Sequence, residues 1–280
     1  MQAFSLLGGG LNLWRRVSNQ LSKGCRLCAT QCTFTCSACP ARLFSEVSAS
    51  VVLELSHTLS EPRPAATAIL VRFTDRSVEV LLLKRNETLK HMPGLWVFPG
   101  GKVESEDPGA DALEKARYGA ARELQEEAGV TVPPAQLMPF SHWLTPVVVK
   151  RRFSTWFFLA EVDDDTPVTV DGSEITAHRW WCPSEAIAAH HSGDLPLTPP
   201  TLVSLHDLQT LEVSRDRWAA LSARSPAHFF PRVVRDDEAM VFLYEGDISY
   251  ESGDLNLQGA VHRTLGKGEI FYYESLSAGV

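Results

Sequence analysis

The sequence predicts an α/β fold, because strand-like and helix-like segments occur together in its central part. Residues 66–73 and 78–84 are short apolar runs separated by the turn signal Asp75-Arg76-Ser77, which is typical of two paired strands. A later segment instead has apolar residues at helical spacing: Leu113, Ala116, Ala120 and Leu124. Strands and an amphipathic helix in one chain indicate a sheet that is covered by helices.

The predicted helix has recognisable signals at both ends. Asp111 followed by Glu114 has the D-x-x-E form of a capping box, Asp107-Pro108 is an earlier candidate start, and Gly129 supplies a C-terminal stop. The other predicted elements are strands at 95–98, 141–147, 152–162 and 175–182, helices at 183–189 and 200–211, and a β-like segment at 239–244 that joins a polar tail.

The chain has 280 residues, of which 44% are hydrophobic, and this is enough for one sizeable core with extensions or for two small domains. We expect residues 1–50 to form a leader, 51–225 the main domain and 226–280 a C-terminal extension. No apolar run approaches the roughly 18 residues of a membrane-spanning helix, which predicts a protein without a membrane span. The net charge of −8 argues against a general nucleic-acid binder, and no feature of the sequence indicates an oligomeric state.

The first 45 residues are basic, with five Lys or Arg side chains and no acidic one. The remainder carries a balance of −13, from 21 basic and 34 acidic residues. A basic, serine-containing segment without acids is typical of an organellar transit peptide, so we expect a mitochondrial location. The alternative is a disordered or incorrectly started N-terminus, and a cytoplasmic location is an alternative to the mitochondrial one.

Five of the six cysteines lie within residues 25–39. They include two C-x-x-C pairs, Cys25 with Cys28 and Cys36 with Cys39, which could bind zinc as thiolates. Only seven residues separate Cys28 from Cys36, fewer than in the usual zinc ribbon. The other interpretation is therefore a leader whose thiols carry out no chemistry.

A row of carboxylates lies on the predicted helix. Glu123 is three residues before Glu126 and four before Glu127, so all three side chains project from one side. They would repel one another without positive charge, which Arg122 supplies in part. Hard divalent cations such as Mg²⁺ would supply the remaining positive charge, since they bind carboxylate oxygens together with substrate phosphates. Such ions can activate a water and neutralise charge on phosphate oxygens.

The alternative to such a site is an acidic helix face that is simply solvated. Gly100-Gly101 before the helix and Gly129 after it favour the site, because glycine lets the backbone approach a metal or a phosphate closely. The sequence therefore predicts an enzyme that acts on a diphosphate with the help of a divalent cation.

Residues 122–130 resemble the second half of the Nudix box, which reads G, five residues, E, seven residues and then R-E-U-x-E-E-x-G-U, where U is apolar. The match holds at every fixed position. Glu114 has the family's spacing before Arg122, but twelve residues separate Gly101 from Glu114, so the chain looks as if it carries a seven-residue insertion. Two residues are therefore candidates for the first acidic position: Asp107, counted from the glycine, and Glu114, counted from the arginine.

The resemblance to the Nudix hydrolase family implies an α/β/α sandwich with a mixed β-sheet, and an enzyme that uses Mg²⁺ or Mn²⁺ to hydrolyse a diphosphate bond. It implies that Arg122 orients the catalytic carboxylates and that Glu123 is a metal ligand or the base that takes a proton from water. The implied metal ligands are Glu123, Glu126, Glu127, the carbonyl of Gly100, and Glu174 as an acid recruited from a distant loop.

A second pattern precedes the box. Residues 81–101 resemble the signature of coenzyme A diphosphatases, which reads L-L-T-x-R-[SA], three residues, R, three residues, G, three residues and F-P-G-G. The spacing is kept, but Leu83 replaces Thr, Asn86 replaces Ser or Ala, and Lys90 replaces Arg. Lysine keeps the charge of arginine but loses its bidentate geometry.

Residues 143–146, 151–155 and 195–201, together with the insertion in the box, resemble the peroxisomal branch of the same group. This resemblance implies hydrolysis of coenzyme A or an acyl derivative to 4′-phosphopantetheine and adenosine 3′,5′-bisphosphate, and it adds the peroxisome as an alternative location. The alternative substrates are NADH, ADP-ribose or another nucleoside diphosphate derivative. An inactive ligand-binding module on a Nudix scaffold is the alternative of another class.

Several side chains are candidates for binding such a small-molecule nucleotide diphosphate. The following could form charge-assisted hydrogen bonds to its phosphates: Arg85, Lys90, Arg151 and Arg152. For residues 150–152 the other interpretation is a solvated hairpin tip. Trp96, Trp143 and Trp156 could stack on the adenine, although tryptophans on strands more often belong to the core.

Overall fold

A computed structural model describes residues 60–75, 77–212, 214–236 and 239–277, and within them the chain forms two β-sheets and four α-helices. The predicted leader, with the cysteines at 25–39, lies outside these residues.

The strands are β1 (Arg63–Phe73), β2 (Val78–Arg85), β3 (Trp96–Val97), β4 (Gly100–Lys102), β5 (Met138–Leu144), β6 (Phe153–Glu161), β7 (Ile175–Trp181), β8 (Ala227–Phe229), β9 (Arg232–Arg235), β10 (Met240–Leu243), β11 (Val261–Lys267) and β12 (Ile270–Leu276). The helices are α1 (Ala112–Ala128), α2 (Pro183–His191), α3 (Pro199–Leu208) and α4 (Arg217–Ala223), with short 3-10 turns at Pro134–Gln136 and Gln209–Glu212. None of the helices in this part of the chain combines the length and the apolar character that crossing a bilayer requires.

The larger sheet is mixed and is built around β1. That strand runs parallel to β6 along most of its length, and antiparallel to β2 and β4 on its other side. β5 pairs antiparallel with β6, β8 pairs parallel with β5, and β3 and β7 pair antiparallel with β2. In β4, Gly101 lies opposite Ala66 of β1. The glycine pair is therefore held by the sheet and not by a free loop.

Helix α1 covers one face of this sheet. Its buried stripe of small and apolar residues consists of Ala116, Ala120, Leu124 and Ala128. The spacing predicts three of these, whereas the fourth predicted residue, Leu113, is only partly buried. The stripe packs on buried residues of β1, β2 and β6: Ala66, Ala68, Leu70, Leu81, Leu83, Phe158 and Ala160. Because three of the four helix residues are alanines, the backbone of α1 can lie close to the strands.

The predicted ends of this helix are confirmed. The Asp111 carboxylate accepts a hydrogen bond of 2.8 Å from the Glu114 N–H, and the Glu114 carboxylate accepts one of 2.7 Å from the Ala110 N–H. A cap of this kind stabilises a helix by about 1 kcal/mol. Gly129 ends the helix with a φ of 67°, a conformation that favours glycine. The earlier candidate start, Asp107-Pro108, precedes the helix and is not part of it.

The opposite face of the sheet is covered by α2 and α3. Buried side chains of these helices, such as Ile187 and Leu205, belong to the same apolar cluster as Ile69 of β1 and Leu82 of β2. Phe271 of β12 joins this cluster from the smaller sheet. The main sheet thus lies between α1 on one side and α2 with α3 on the other. This arrangement confirms the predicted α/β/α sandwich with a mixed β-sheet.

The prediction of a polar tail after residue 244 is wrong. The smaller sheet is antiparallel, in the order β12-β11-β10-β9, and β11 and β12 form a hairpin around the turn Gly268-Glu269. Few residues of this hairpin are buried, among them Thr264 and Phe271. A hairpin with so little buried surface carries many polar side chains, so its sequence resembles a tail. The sequence patterns also do not predict the short elements β4, β8, β9 and α4.

Candidate active site

Helix α1 brings two of the three predicted carboxylates against the glycine pair. Glu127 is buried, with 6% of its surface exposed, and its carboxylate accepts a hydrogen bond of 2.8 Å from the Gly100 N–H. Glu123 is half-buried beside Gly101, where an added Cβ would collide with the Glu123 carboxylate. Glycine at position 101 therefore lets the carboxylate of Glu123 lie directly against the backbone of β4. Glu126 lies further out, with 58% of its side chain exposed.

Arg122 uses all three nitrogen atoms of its guanidinium group for contacts inside the protein. Nε and Nη2 donate to the carboxylate oxygens of Asp107 at 3.0 and 3.2 Å, and Nη2 also donates to the Lys102 carbonyl at 2.9 Å. Nη1 donates to Glu123 and to Glu126, each at 3.0 Å. The hydrogen bonds with Asp107, followed by those with Glu123, raise the pKa of Arg122 above its ordinary value. This fixed, charged fork holds the carboxylates of α1 in place.

The two candidates for the first acidic position of the box have different surroundings. Asp107 is buried, and its carboxylate accepts hydrogen bonds from Arg122 and from the Glu104 N–H, the latter at 2.8 Å. Burial acts to raise the pKa of Asp107, but these hydrogen bonds outweigh burial and hold the pKa below its ordinary value. Glu114 instead caps the helix. The structure therefore brings Asp107, and not Glu114, to Arg122.

Glu123 and Glu127 have a raised affinity for protons. Burial raises the pKa of Glu127 to about 8, and negative charge on Glu123 and Glu174 acts in the same direction. Burial also raises the pKa of Glu123, although its hydrogen bond with Arg122 opposes this. Carboxylates that are desolvated and close to one another are stabilised in their charged form by a nearby cation. The site is therefore electrostatically suited to a bound positive ion.

Glu174 lies at the edge of this cluster, directly before β7. Its carboxylate accepts a hydrogen bond of 2.9 Å from Arg85 Nη2, and its carbonyl accepts one of 2.8 Å from the Asn86 N–H. Asp171 accepts a hydrogen bond of 2.9 Å from the Glu174 N–H and fixes the turn, a role that the D-G-S-E sequence could have indicated. Arg85 Nε is buried and has no hydrogen-bond partner within the described residues. The fold thus brings together Arg85 and Glu174, which are 89 residues apart.

The other predicted substrate-binding residues are placed differently. Lys90 is exposed on the loop between β2 and β3, and Arg151 is exposed just before β6. Arg152 is buried, and it donates to the Thr145 carbonyl at 3.1 Å and to the Ser60 carbonyl at 3.0 Å. These hydrogen bonds give Arg152 a structural role at the start of β6. A run of three basic residues gives no sign of which one is buried.

The oxygen donors of the site are of the kind that a hard divalent cation binds. Among the described residues, no group of three Asp, Glu, His or Cys side chains is arranged so that it could hold a metal ion. The chemistry of the site nevertheless fits a hard cation, because its donors are carboxylate oxygens and Glu127 is desolvated. Glu123, Glu126 and Glu174, each paired with an arginine, are the further acids that would hold such an ion.

Comparison with known proteins relates these features to a family. The NUDIX domain model matches residues 61–200, which is half of the 280-residue chain. The acyl-coenzyme A diphosphatase NUDT19 of Xenopus laevis is 25% identical, and the match covers 63% of this chain and 73% of that protein. The m7GpppN-mRNA hydrolase NUDT17 of Homo sapiens is 38% identical over 61% of this chain. The matched part spans only 55% of that relative's length.

A solved structure shows the same fold. The crystal structure of a NUDIX hydrolase from Alicyclobacillus acidocaldarius is similar with a TM-score of 0.52 at 22% identity, covering 60% of this chain and 99% of that one. This likeness concerns the fold alone and agrees with the sandwich described above. The family domain spans half of the sequence, and the residues of the Nudix box are gathered around α1 and β4. The chain is therefore an enzyme that belongs to the Nudix hydrolase family.

Proposed function

We propose that this Nudix hydrolase cleaves the diphosphate bond of coenzyme A or of an acyl-coenzyme A, and releases 4′-phosphopantetheine and adenosine 3′,5′-bisphosphate. The position of Arg85 carries the proposal. This arginine belongs to the segment that resembles the coenzyme A signature, and it pairs with Glu174 at the edge of the carboxylate cluster. Its buried Nε, unpartnered among the described residues, is a donor that a phosphate oxygen can satisfy. The likeness to an acyl-coenzyme A diphosphatase supports the same substrate class.

Two of the three departures from that signature have structural explanations. Leu83 is fully buried in the cluster under α1, so its replacement of Thr is a change in packing. Asn86 donates to the Ser173 carbonyl at 2.9 Å and accepts a hydrogen bond of 3.0 Å from the Thr88 N–H. It therefore joins its own loop to the loop that carries Glu174. Only Lys90, which is exposed, remains as a departure that bears on the substrate.

The reaction transfers a phosphoryl group to water. The water oxygen forms a bond to one phosphorus atom, and the bond between that phosphorus and the bridging oxygen breaks. The bridging oxygen leaves on the other phosphate. A divalent cation, Mg²⁺ or Mn²⁺, supplies charge neutralisation at the phosphate oxygens and favours ionisation of the water. The groups that would hold it are Glu123, Glu126, Glu127, Glu174 and the Gly100 carbonyl.

The side chains of the site accept the proton of the attacking water and bind the phosphates of the substrate. Glu123 is suited to accept the proton of the attacking water, because burial raises its pKa and Arg122 fixes one of its oxygens. Gly101 keeps the space beside Glu123 free of a side chain. Arg85 and the exposed Lys90 bind the phosphates of the substrate. Bound in this way, the diphosphate is held beside the group that removes the proton.

A substrate panel with the full-length protein tests the proposal. Coenzyme A, an acyl-coenzyme A, NADH, ADP-ribose and a capped RNA are incubated with Mg²⁺ or Mn²⁺, and the products are identified by mass. We expect kcat/KM to be highest for coenzyme A or its acyl derivative, with adenosine 3′,5′-bisphosphate as a product. A preference for NADH, ADP-ribose or capped RNA overturns the substrate assignment. No turnover of any compound, with binding retained, indicates the inactive module instead.

A further inference from the structure

We propose that four aromatic side chains on the α1 side of the main sheet bind the nucleobase of the substrate. We call these residues the aromatic shelf: His142 of β5, Trp156 of β6, His228 of β8, and Phe230 directly after β8. The proposal rests on the proposed function, because it adds a base-binding site to the cluster that cleaves the diphosphate. In the reaction with coenzyme A, the base is adenine.

The rings of the aromatic shelf form a continuous group. The ring centroid of His142 lies 4.5 Å from that of Trp156 and 5.6 Å from that of His228, and Trp156 and His228 are 5.8 Å apart. Phe230 extends the group, at 6.1 Å from His142 and 6.2 Å from His228. Two strand spacings, roughly 10 Å, separate the backbones of β6 and β8. The side chains of Trp156 and His228 therefore incline toward each other over His142.

Two rings of the aromatic shelf are exposed to solvent, and the other two are partly buried. Phe230 is 41% exposed and His228 is exposed, whereas His142 and Trp156 are partly buried. His142 Nε2 lies 2.8 Å from Ser154 Oγ, a hydrogen bond that fixes the orientation of the imidazole ring. Burial, together with the neighbouring His228, lowers the pKa of His142, so this ring is uncharged at neutral pH. A fixed, neutral ring surface with an open margin suits the stacking of a base.

The register of the sheet connects the aromatic shelf to the carboxylate cluster. Gly101, which lies against Glu123, is opposite Ala66, and Ala66 is opposite Trp156. Residues that face one another in this way project from the same face of the sheet. Two strand spacings, roughly 10 Å, separate the backbone at Gly101 from that at Trp156. A ribose and one phosphate group can bridge this separation, which places the diphosphate at the carboxylates when the base is on the shelf.

Trp143 and Trp96, the other two candidates for stacking on the adenine, have different surroundings. Trp143 is buried on the opposite face of the sheet, and its ring is stacked on Phe229 at 4.0 Å. Trp96 packs edge-on against Trp181 at 6.4 Å, beside the apolar cluster of that opposite face. Of the three, Trp156 is therefore the one that lies on the face of the carboxylate site and remains partly exposed.

Binding of a product-like probe tests the shelf without catalysis. Adenosine 3′,5′-bisphosphate is added to the full-length protein in the absence of divalent cations, and the histidine ring signals are followed by NMR. We expect the signals of His142 and His228 to shift, and the Kd to rise about tenfold in the double variant His228→Ala, Phe230→Ala. Ribose 5-phosphate, which has no base, should shift neither signal. Unchanged histidine signals, or an unchanged Kd in the double variant, overturn the proposal.

Tyr272→Ala is the matched control for the loss of the Phe230 ring in the double variant. Tyr272 has a similar exposure, 37%, and is stacked on His191 at 4.9 Å in the smaller sheet. This variant should bind the probe like the unaltered protein. With coenzyme A as substrate, the double variant should raise KM about tenfold and leave kcat nearly unchanged.

The two proposals can fail separately in this design. Hydrolysis of coenzyme A with an unchanged KM in the double variant overturns the aromatic shelf and leaves the proposed function standing. Loss of probe binding in the double variant, in a protein that hydrolyses no diphosphate, supports the shelf and overturns the proposed function.

Discussion

The Gly100 N–H donates a hydrogen bond of 2.8 Å to the carboxylate of Glu127, and this contact joins β4 to the last turn of α1. One backbone donor satisfies one oxygen of a carboxyl group that the fold has removed from water. This hydrogen bond acts to lower the pKa of Glu127, but burial has the larger effect and raises the pKa to about 8. Without a cation, the fold therefore holds Glu127 mostly protonated at neutral pH. A cation must displace that proton to gain the carboxylate as a ligand, so its binding depends on pH.

Replacing Glu127 with Gln should strongly reduce hydrolysis and preserve the fold. The amide has nearly the shape of the carboxyl group, and its oxygen can still accept the hydrogen bond from the Gly100 N–H. It lacks the negative charge that a hard cation requires. We expect kcat to fall on the order of a hundredfold or more, the scale of removing one electrostatic interaction from an active site. The measurements are kcat at saturating Mg²⁺ and Tm in the presence of EDTA.

Glu114→Gln is the matched control for this variant. Glu114 lies on the same helix, but its carboxylate accepts a hydrogen bond from the Ala110 N–H instead of facing the glycine pair. Its substitution should leave kcat unchanged and cost at most about 1 kcal/mol of stability. Normal turnover by Glu127→Gln, or an equal loss of activity in both variants, would contradict the role assigned to Glu127.

Without divalent cations, the protein should lose stability as the pH rises through the range set by Glu127. Its folded pKa of about 8 lies above the ordinary value of 4.5, so the folded state binds more protons than the unfolded state between these values. The stability contributed by the neutral carboxyl group is complete below the lower value and is lost as the pH rises through the upper one. Relative to Glu127→Gln, we expect the free energy of unfolding to fall by roughly 3–5 kcal/mol across this range. Urea denaturation at several pH values in EDTA measures this difference.

Addition of Mg²⁺ or Mn²⁺ should counteract this loss. The cation binds the ionised form of Glu127, so its affinity increases as the pH approaches the folded pKa. We expect the increase in Tm that the cation causes to be larger at high pH than at low pH, and to be absent in Glu127→Gln. An increase of equal size at both pH values, or in the variant, would show that the cation binds elsewhere.

Sequence reasoning predicts α1 well because the signals that define it act within a few residues. Asp111 and Gly129 mark its ends, and the spacing of the three glutamates places them on one side of the helix. Spacing does not show which of them is buried. Glu127 is 6% exposed, whereas 58% of the Glu126 side chain is exposed, since the packing of α1 on the sheet decides which part of the row meets the glycine pair.

The features that sequence reasoning did not predict depend on contacts between distant segments. Both Asp107 and Glu114 satisfy a spacing rule of the box, and only the folded loop shows that Asp107 reaches Arg122. The burial of Arg152 depends on carbonyl groups of other segments, one of them 92 residues earlier in the chain. The gathering of His142 and His228 depends on the pairing of β8 with β5, two strands that are far apart in the sequence.

Asp107→Asn should impair the site through Arg122. The substitution removes the charge that Arg122 Nε and Nη2 bind, and leaves a partly buried guanidinium group with weaker partners. Arg122 then holds Glu123 less firmly. We expect kcat to fall by roughly 10- to 100-fold, as for residues that orient a metal ligand, and stability to fall by about 1–3 kcal/mol. Steady-state kinetics and urea denaturation check both effects. Full activity in Asp107→Asn combined with loss of activity in Glu114→Gln would reverse the assignment of the first acidic position.

A buried histidine of α2 is hydrogen-bonded to the backbone of the smaller sheet. His190 is 1% exposed, its Nε2 accepts a hydrogen bond of 2.9 Å from the Phe271 N–H, and its Nδ1 lies 3.0 Å from the Leu195 carbonyl. Because Nε2 accepts a hydrogen bond, the ring is neutral and its proton is on Nδ1, which donates to Leu195. Protonation of Nε2 would remove the acceptor for the Phe271 N–H. Burial lowers the pKa of His190 below its ordinary value of 6.5, as it also does for His206.

Acid should therefore weaken the smaller sheet before the main sheet. Below pH 6.5 the unfolded state binds more protons than the folded state, so the stability contributed by neutral His190 is present above that pH and is lost as the pH falls through the lower, folded pKa. We expect hydrogen-exchange protection of the Phe271 amide to fall in this range while that of β1 persists. His190→Ala should abolish the pH dependence of Phe271 protection and lower stability by about 2 kcal/mol, whereas His178→Ala, at an exposed position of β7, should change neither quantity. If the β1 and Phe271 amides lose protection together in the unaltered protein, then His190 does not act as the tie between α2 and β12.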